Sequence, residues 1–277
     1  MDIRLIVSDV DRTIVPVEGR VSAATAKAVG ACRAQGTEFV ICSGRWFASA
    51  WEIAAEQLGI RDGYMIIANG GAVVKCDGTI LMEDALSRAQ AEAVYEILRR
   101  EPVTVCAYAR GAIYRLNLEH LTVFRLPERS RHIGGVDYRI VDGDERAFVR
   151  YGLEHPYKIE AHADDREALM RLRARLEETG LEIGSSYPNN IEVMAPGTGK
   201  GAATRWLTGY LGLNRAQVMG FGDFLNDLPM LENVGWPMAV GNALTEVKRA
   251  CRAVVPDCAD DGVAWAIREY VLGGGEV

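Results

Sequence analysis

Hydrophobic positions along this chain fall in short unbroken blocks separated by helical stretches, and the rhythm changes only in the middle. Residues 3–7 are apolar without a period of two, the pattern of a strand covered on both faces in a parallel sheet. Ser22 then opens a helical stretch, SAATAKAVGACRAQ, with Gly36 in the usual C-terminal position. A second apolar run, 38–42, leads into Ser43, Gly44 and Arg45. The stretch WFASAWEIAAEQL closes at Gly59, and a third run follows at 64–68. Strands and helices alternating at this spacing predict βαβ units around a parallel sheet.

After Asn69 the pattern shortens. AVVKCDGTILME reads as a hairpin turning at Asp77 and Gly78. Ser87 followed by Gln90 is a capping-box signal for the helix AQAEAVYEILRR. Short strands are predicted in VTVCAYA, AIYRLNL and YKIEAHA, with an irregular Arg-rich piece over 125–150 between them. Asp164 starts a helix, DREALMRLRARLEET, closed by Gly180; strands follow at 181–185 and 191–194. From Gly199 the α/β rhythm returns: helix, strand QVMGFG, helix around DLPMLE, strand PMAV, final helix DGVAWAIREYV. The economical organisation is a discontinuous α/β core over 1–84 plus 190–277, with an inserted α+β domain over 85–189.

Composition narrows the class. With 277 residues, 49% hydrophobic and 25% charged, the chain is an ordinary globular protein of about two domains. Its 31 basic and 38 acidic residues leave a net charge of −7, which disfavours a nucleic-acid partner. The cysteines at 32, 42, 76, 106, 251 and 258 form no CxxC pair, and several lie in apolar runs, where a free thiol behaves as a small hydrophobe. MDIRLIVSDVDRT carries acids where a signal peptide needs an apolar stretch, and no apolar run reaches the ~18 residues of a membrane span. The expectation is a cytoplasmic protein without a membrane partner; oligomeric state is not legible.

Asp9 and Asp11 follow the first strand two residues apart, so on extended chain both carboxylates face one side. Alone, such a pair reads as solvated loop acids. A second acidic cluster, Gly222-Asp223-Phe224-Leu225-Asn226-Asp227, again follows a predicted strand, where open α/β sheets bind ligands. Carboxylates converging there suit a hard divalent cation, and with no histidine nearby magnesium is a better fit than zinc. Ser43 and Gly44 stand before a helix and could cradle an anion, although the pair alone reads as a turn. Lys200 sits at a helix start, unfavourable for the helix dipole unless an anion offsets it. The run Gly197-Thr198-Gly199-Lys200-Gly201 lacks P-loop spacing.

The set DVDRT, SGR, GK and GDFLND, in this order, resembles the haloacid dehalogenase superfamily of phosphohydrolases. ANGGA (68–72), MAVGNA (238–243) and DDGVA (260–264) resemble its Cof-type branch, whose large α/β cap would match the inserted block. The resemblance implies a Rossmann-like core and a Mg²⁺-dependent phosphatase acting on small phosphorylated metabolites, most plausibly sugar phosphates. It implies Asp9 as the nucleophile and Asp11 as general acid and base. Asp9, the backbone carbonyl of Asp11 and Asp223 would hold Mg²⁺, with Asp227 supporting them. Ser43 and Lys200 would bind the phosphoryl oxygens, Thr13 would orient the first loop, and Asn226 would lie near the phosphate. Gly44, Arg45 and Asn69 would line the pocket.

The first motif departs from the family's DxDGT, with Arg12 in place of glycine. This puts a bulky cation by the nucleophile loop and could narrow the substrate range. Trp46, Phe47 and Trp51 read as core packing, and Arg125, Arg129, Arg131 and Arg139 as solvated surface. Asn189, Asn190 and Glu192, near the return from cap to core, are candidates for substrate hydroxyls. Two other functions stay open: a phosphosugar mutase of the same superfamily, told apart by whether inorganic phosphate accumulates, and a non-catalytic metabolite-binding module, which would not need the nucleophile.

Overall fold

A computed structural model describes residues 2–17, 19–120 and 130–274. It divides into two compact units, one of Met1–Leu81 with Gly199–Val277, the other Met82–Thr198. The strands in chain order are β1 (Leu5–Ser8), β2 (Glu38–Cys42), β3 (Tyr64–Ile67), β4 (Ala72–Lys75) and β5 (Ile80–Glu83). The second unit adds β6 (Thr104–Tyr108), β7 (Ala112–Leu116), β8 (Arg131–Ile133) and β9 (Val136–Asp142), then β10 (Lys158–His162), β11 (Glu182–Gly184) and β12 (Asn190–Met194). The chain then returns through β13 (Val218–Gly222), β14 (Trp236–Ala239) and β15 (Ala253–Val254).

The first sheet has the order β15-β14-β13-β1-β2-β3-β4-β5. Pairing is parallel from β15 through to β3 and antiparallel between β3 and β4. All four residues of β1 are buried, as its unbroken apolar pattern demands. Each such Val, Leu or Ile contributes about 1.5–3 kcal/mol by leaving water. Helices Ala23–Ala34, Phe47–Trp51 and Lys200–Tyr210 belong to this unit. Trp46 and Phe47 are buried, and the Trp51 indole N–H donates to the Cys76 carbonyl, so these aromatics are core. Because the strands run parallel, the carboxyl ends of β1, β2, β3 and β13 share one edge, and Asp9, Ser43, Ala68 and Asp223 each follow one of them.

The second unit folds a seven-stranded sheet, β11-β12-β10-β6-β7-β9-β8. Helices Arg88–Leu98 and Arg166–Glu177 bury Val94, Leu98, Leu172 and Leu176 against Val105, Ile159, Ala161 and Val193. The Ser87–Gln90 capping box is formed as its spacing requires. Alternate residues of β10 face the other way, and there Lys158, Glu160 and His162 are buried. The Lys158 ammonium binds Glu160, lies 2.9 Å from Glu192, and sits 4.4 Å from the Tyr108 ring centroid.

Two sequence expectations change. Strand β12 pairs with β10 and β11, so residues 190–198 lie in the second unit and the return falls at 198/199 rather than 190. Asn190 and Glu192 are accordingly buried there; Asn190 accepts backbone N–H groups of Ser186 and Tyr187, and the Ser186 hydroxyl donates to Glu192. Asn189 is half-buried, and its carbonyl accepts from the Ala163 N–H. The stretch expected to be irregular contains β8, β9 and a helical turn at Glu145–Ala147. Of β9 only Tyr138 is buried, so the strand carries little hydrophobic signal. Arg139 is exposed beside Asp137 and Arg131 is half-buried, whereas Arg125 and Arg129 lie outside the described residues.

Candidate active site

The site is assembled at the shared edge of the parallel sheet. Asp9 is held where β1 ends, its N–H donating to the Phe221 carbonyl of β13 at 2.9 Å. Lys200 begins the helix Lys200–Tyr210 and is almost wholly buried. Its ammonium lies 2.5 Å from Asp9 Oδ1 and 2.7 Å from Asp227 Oδ1, the anions its place at a helix start requires. Burial opposes a charged amine, but Asp227 and Asp9 outweigh it and raise the Lys200 pKa well above its usual range.

Asp227 turns back across the end of β13. Its Oδ2 accepts the N–H groups of Asp223 at 2.9 Å and Phe224 at 3.1 Å, fixing the loop on which Asp223 stands. Gly222 makes this approach feasible: a Cβ there would sit 2.5 Å from the Asp227 Cβ. Asp9, Asp223 and Asp227 each place a carboxylate oxygen within 4.8 Å of the others, all three buried. Burial, then repulsion from Asp227, pushes Asp223 up to about 7. Burial also raises Asp9 well above the carboxylate range, against the pull of Lys200. Three buried acids face one buried lysine and the half-exposed Arg12, 3.6 Å from Asp223, a surplus of acid over buried cation. A cluster of hard oxygen donors with that surplus fits a divalent cation.

Asp11 points elsewhere. Arg45 grips it with two hydrogen bonds, Nε to Oδ2 at 2.9 Å and Nη2 to Oδ1 at 2.6 Å. Spacing along the chain gave no sign of this pair; only the adjacency of the β1 and β2 ends brings it together. The Ser43 hydroxyl, buried, accepts the Arg45 N–H, and the Ser43 and Arg45 carbonyls accept the N–H groups of Asn69 and Ala68. Ala68 and Asn69 both have left-handed backbone, φ 50° and 56°. The Asn69 amide packs against Gly44, where a Cβ would meet it at 3.0 Å, and Asn226 Nδ2 lies 3.5 Å from its Oδ1. Strained and buried, this loop meets the Ser43 and Asn226 loops. Thr13, also buried, reaches Asp223 Oδ1 at 3.5 Å.

Arg12 explains why glycine suits its position. Its φ is 64°, a conformation costing about 1–2 kcal/mol for a residue with a Cβ. The structure holds it there by Arg12 N–H to Val15 O and by Asn242 Nδ2 to Arg12 O, both 2.7 Å. Asn242, within MAVGNA, is a residue whose role here the sequence did not reveal. Among the described residues no helix is long and apolar enough to cross a membrane.

Comparison with known proteins places the chain in a family. The family model for haloacid dehalogenase-like hydrolases matches residues 6–267. The chain is 29% identical over 272 residues to a 5-amino-6-(5-phospho-D-ribitylamino)uracil phosphatase of Bacillus subtilis, covering 98% of this chain and 97% of the relative. It is 27% identical over 276 residues to an HMP-PP phosphatase of Serratia proteamaculans, covering 97% and 95%. A solved haloacid dehalogenase-like hydrolase from B. subtilis superposes with a TM-score of 0.82 at 23% identity, over 97% of this chain and all of that one. The chain therefore belongs to the haloacid dehalogenase-like hydrolases and is an enzyme of their phosphatase kind.

Proposed function

We propose that this enzyme hydrolyses phosphate monoesters of small polyhydroxylated metabolites, sugar phosphates foremost, through an aspartyl-phosphate on Asp9 and with Mg²⁺ as cofactor. The observation that carries the reading is the buried carboxylate trio beside a charged lysine, with Asp9 common to both. The relative named for a phosphoribityl compound supports a polyol-phosphate substrate. The free thiols at all six cysteines suit a reducing cytoplasm.

In this reading Asp9 attacks phosphorus, the bond to the leaving oxygen breaks, and Asp11 supplies the proton to the departing alkoxide. Asp11, now the carboxylate, then takes a proton from the water that attacks the aspartyl-phosphate, releasing inorganic phosphate. The bidentate grip of Arg45 holds Asp11 as the acceptor of that second step; for the first, one of the two Arg45 contacts must open so that an Asp11 oxygen can carry the proton it donates. Lys200 and the Ser43 loop stabilise charge on the transferring oxygens. Mg²⁺ held by Asp9 and Asp223, with Asp227 behind them, would neutralise the phosphoryl group and the surplus of carboxylate charge.

The test is phosphate release from a panel of sugar and polyol phosphates, with and without Mg²⁺, for wild type and Asp9→Asn. Metal-dependent release lost in the variant is the expected result. Phosphorylation of Asp9 without accumulation of phosphate would instead favour a mutase, and neither would favour a binding module.

A further inference from the structure

Arg12 combines three properties that an ordinary surface arginine lacks. Its backbone sits in a left-handed conformation a glycine would adopt freely. That conformation is pinned on both sides, by Val15 and by Asn242, and Asn242 is itself anchored by the Cys258 N–H at 2.9 Å. From this fixed base the side chain lies across Asp223, Nε 3.6 Å from Oδ2, with the carboxylate buried and the arginine side chain 46% exposed. The other Asp223 oxygen faces Thr13. A cation facing Asp223 is therefore supplied by the chain itself.

The geometry points to Arg12 as a built-in rival of the divalent cation: its guanidinium occupies the charge field of Asp223 and weakens metal binding relative to a chain with glycine at this position. The inference rests on the reading of Asp9, Asp223 and Asp227 as a metal site, and adds what sets that site's affinity. Its physical basis is like-charge repulsion. A second cation brought to a carboxylate already facing a guanidinium must either displace it or share its field. Being half exposed, the arginine can withdraw into water, so the penalty is modest. A pair of this exposure corresponds to roughly a two- to fivefold change in affinity. The pinned backbone fixes the point from which the side chain starts, so the guanidinium stays within reach of Asp223.

The experiment is calorimetric titration of Mg²⁺ into chelator-stripped, substrate-free protein at low ionic strength, paired with the melting shift that Mg²⁺ produces. It compares wild type with Arg12→Gly, Arg12→Gln and Arg12→Lys. Arg12→Gly relieves the backbone and removes the charge, Arg12→Gln removes only the charge, and Arg12→Lys keeps it. Roughly two- to fivefold tighter binding in Arg12→Gly and Arg12→Gln, with Arg12→Lys near wild type, is the expected pattern. Tighter binding in Arg12→Gly alone would assign the effect to the backbone and overturn the charge argument. Unchanged or weaker binding in Arg12→Gln would overturn it outright. No binding heat and no melting shift in wild type would overturn the metal site itself, and the inference with it.

Discussion

Two lysines in this molecule are buried between two carboxylates, and they serve different ends. Lys158, in the second unit, pairs with Glu160 on its own strand and with Glu192 directly across the ladder. Two glutamates facing each other on adjacent strands repel, and the lysine is what lets them coexist. The arrangement is closed by its neighbours: His162 binds Glu160 at 3.0 Å and Ser186 binds Glu192. Against the cost of burial, Lys158 and then His162 hold Glu160 well below the carboxylate range, while burial raises Glu192. Lys200 also has two carboxylates, but they come from two loops, and a third acid, Asp223, has no share of the ammonium. In one unit the two carboxylates share a buried lysine; in the other a third acid stands outside the buried ammonium and meets the half-exposed Arg12 at 3.6 Å. A buried lysine between acids does not by itself mark a site; what distinguishes Lys200 is the third buried acid beside it.

The largest effect that could break this contrast is chemical. Asp9→Asn should reduce phosphate release by at least about a thousandfold, because a nucleophile has no substitute. A variant retaining a tenth of the activity would remove Asp9 from that role. Next in size is Lys158→Met, which leaves two buried glutamates opposed and should destabilise the protein by about 3–5 kcal/mol in denaturant unfolding, with no relief from Mg²⁺. Relief by Mg²⁺ would mean that the second cluster, too, is a cation site. Arg45→Ala should lower turnover about ten- to a hundredfold with little change in melting temperature, since it frees Asp11 rather than removing it. An equal loss in Arg45→Lys is expected, because an ammonium lacks the two-pronged grip.

The smallest effect is in pH. Asp223 stands at about 7 in the metal-free fold against 3.8 in the usual reference, so the fold retains a proton that the unfolded chain has released. Stability of the chelated protein should therefore fall as pH rises from about 4 to 7. Mg²⁺ bound at this carboxylate would expel that proton, so its affinity should strengthen by about tenfold between pH 6 and 8. A flat affinity profile in calorimetry would mean that Asp223 is already ionised.

Much of the edge that gathers the candidate site was legible because its residues directly follow apolar strands. Asp9, Ser43 and Asp223 stand one position after blocks whose burial the sequence announces, and parallel topology then brings them together. The Arg45–Asp11 clasp and the tie from Asn242 to the Arg12 carbonyl were not legible, because they join loops whose adjacency depends on strand order. The strain at Ala68 escaped notice for a related reason: nothing in its residue type signals a left-handed backbone. Strands β8 and β9 lacked the hydrophobic pattern from which a strand is read. Residues 190–198 were misplaced because an apolar strand looks the same in either sheet until its partners are known.

The salt bridge between Lys200 and Asp9 spans 191 positions of the chain. At synthesis rates of roughly 5–20 residues per second, its second half emerges from the ribosome about 10–40 s after its first. During that interval the whole of Met82–Thr198 becomes available to fold, while the first unit still lacks β13, β14 and β15. A ribosome halted between residues 9 and 200 would carry a chain in which Asp9 has been made and its counter-cation has not.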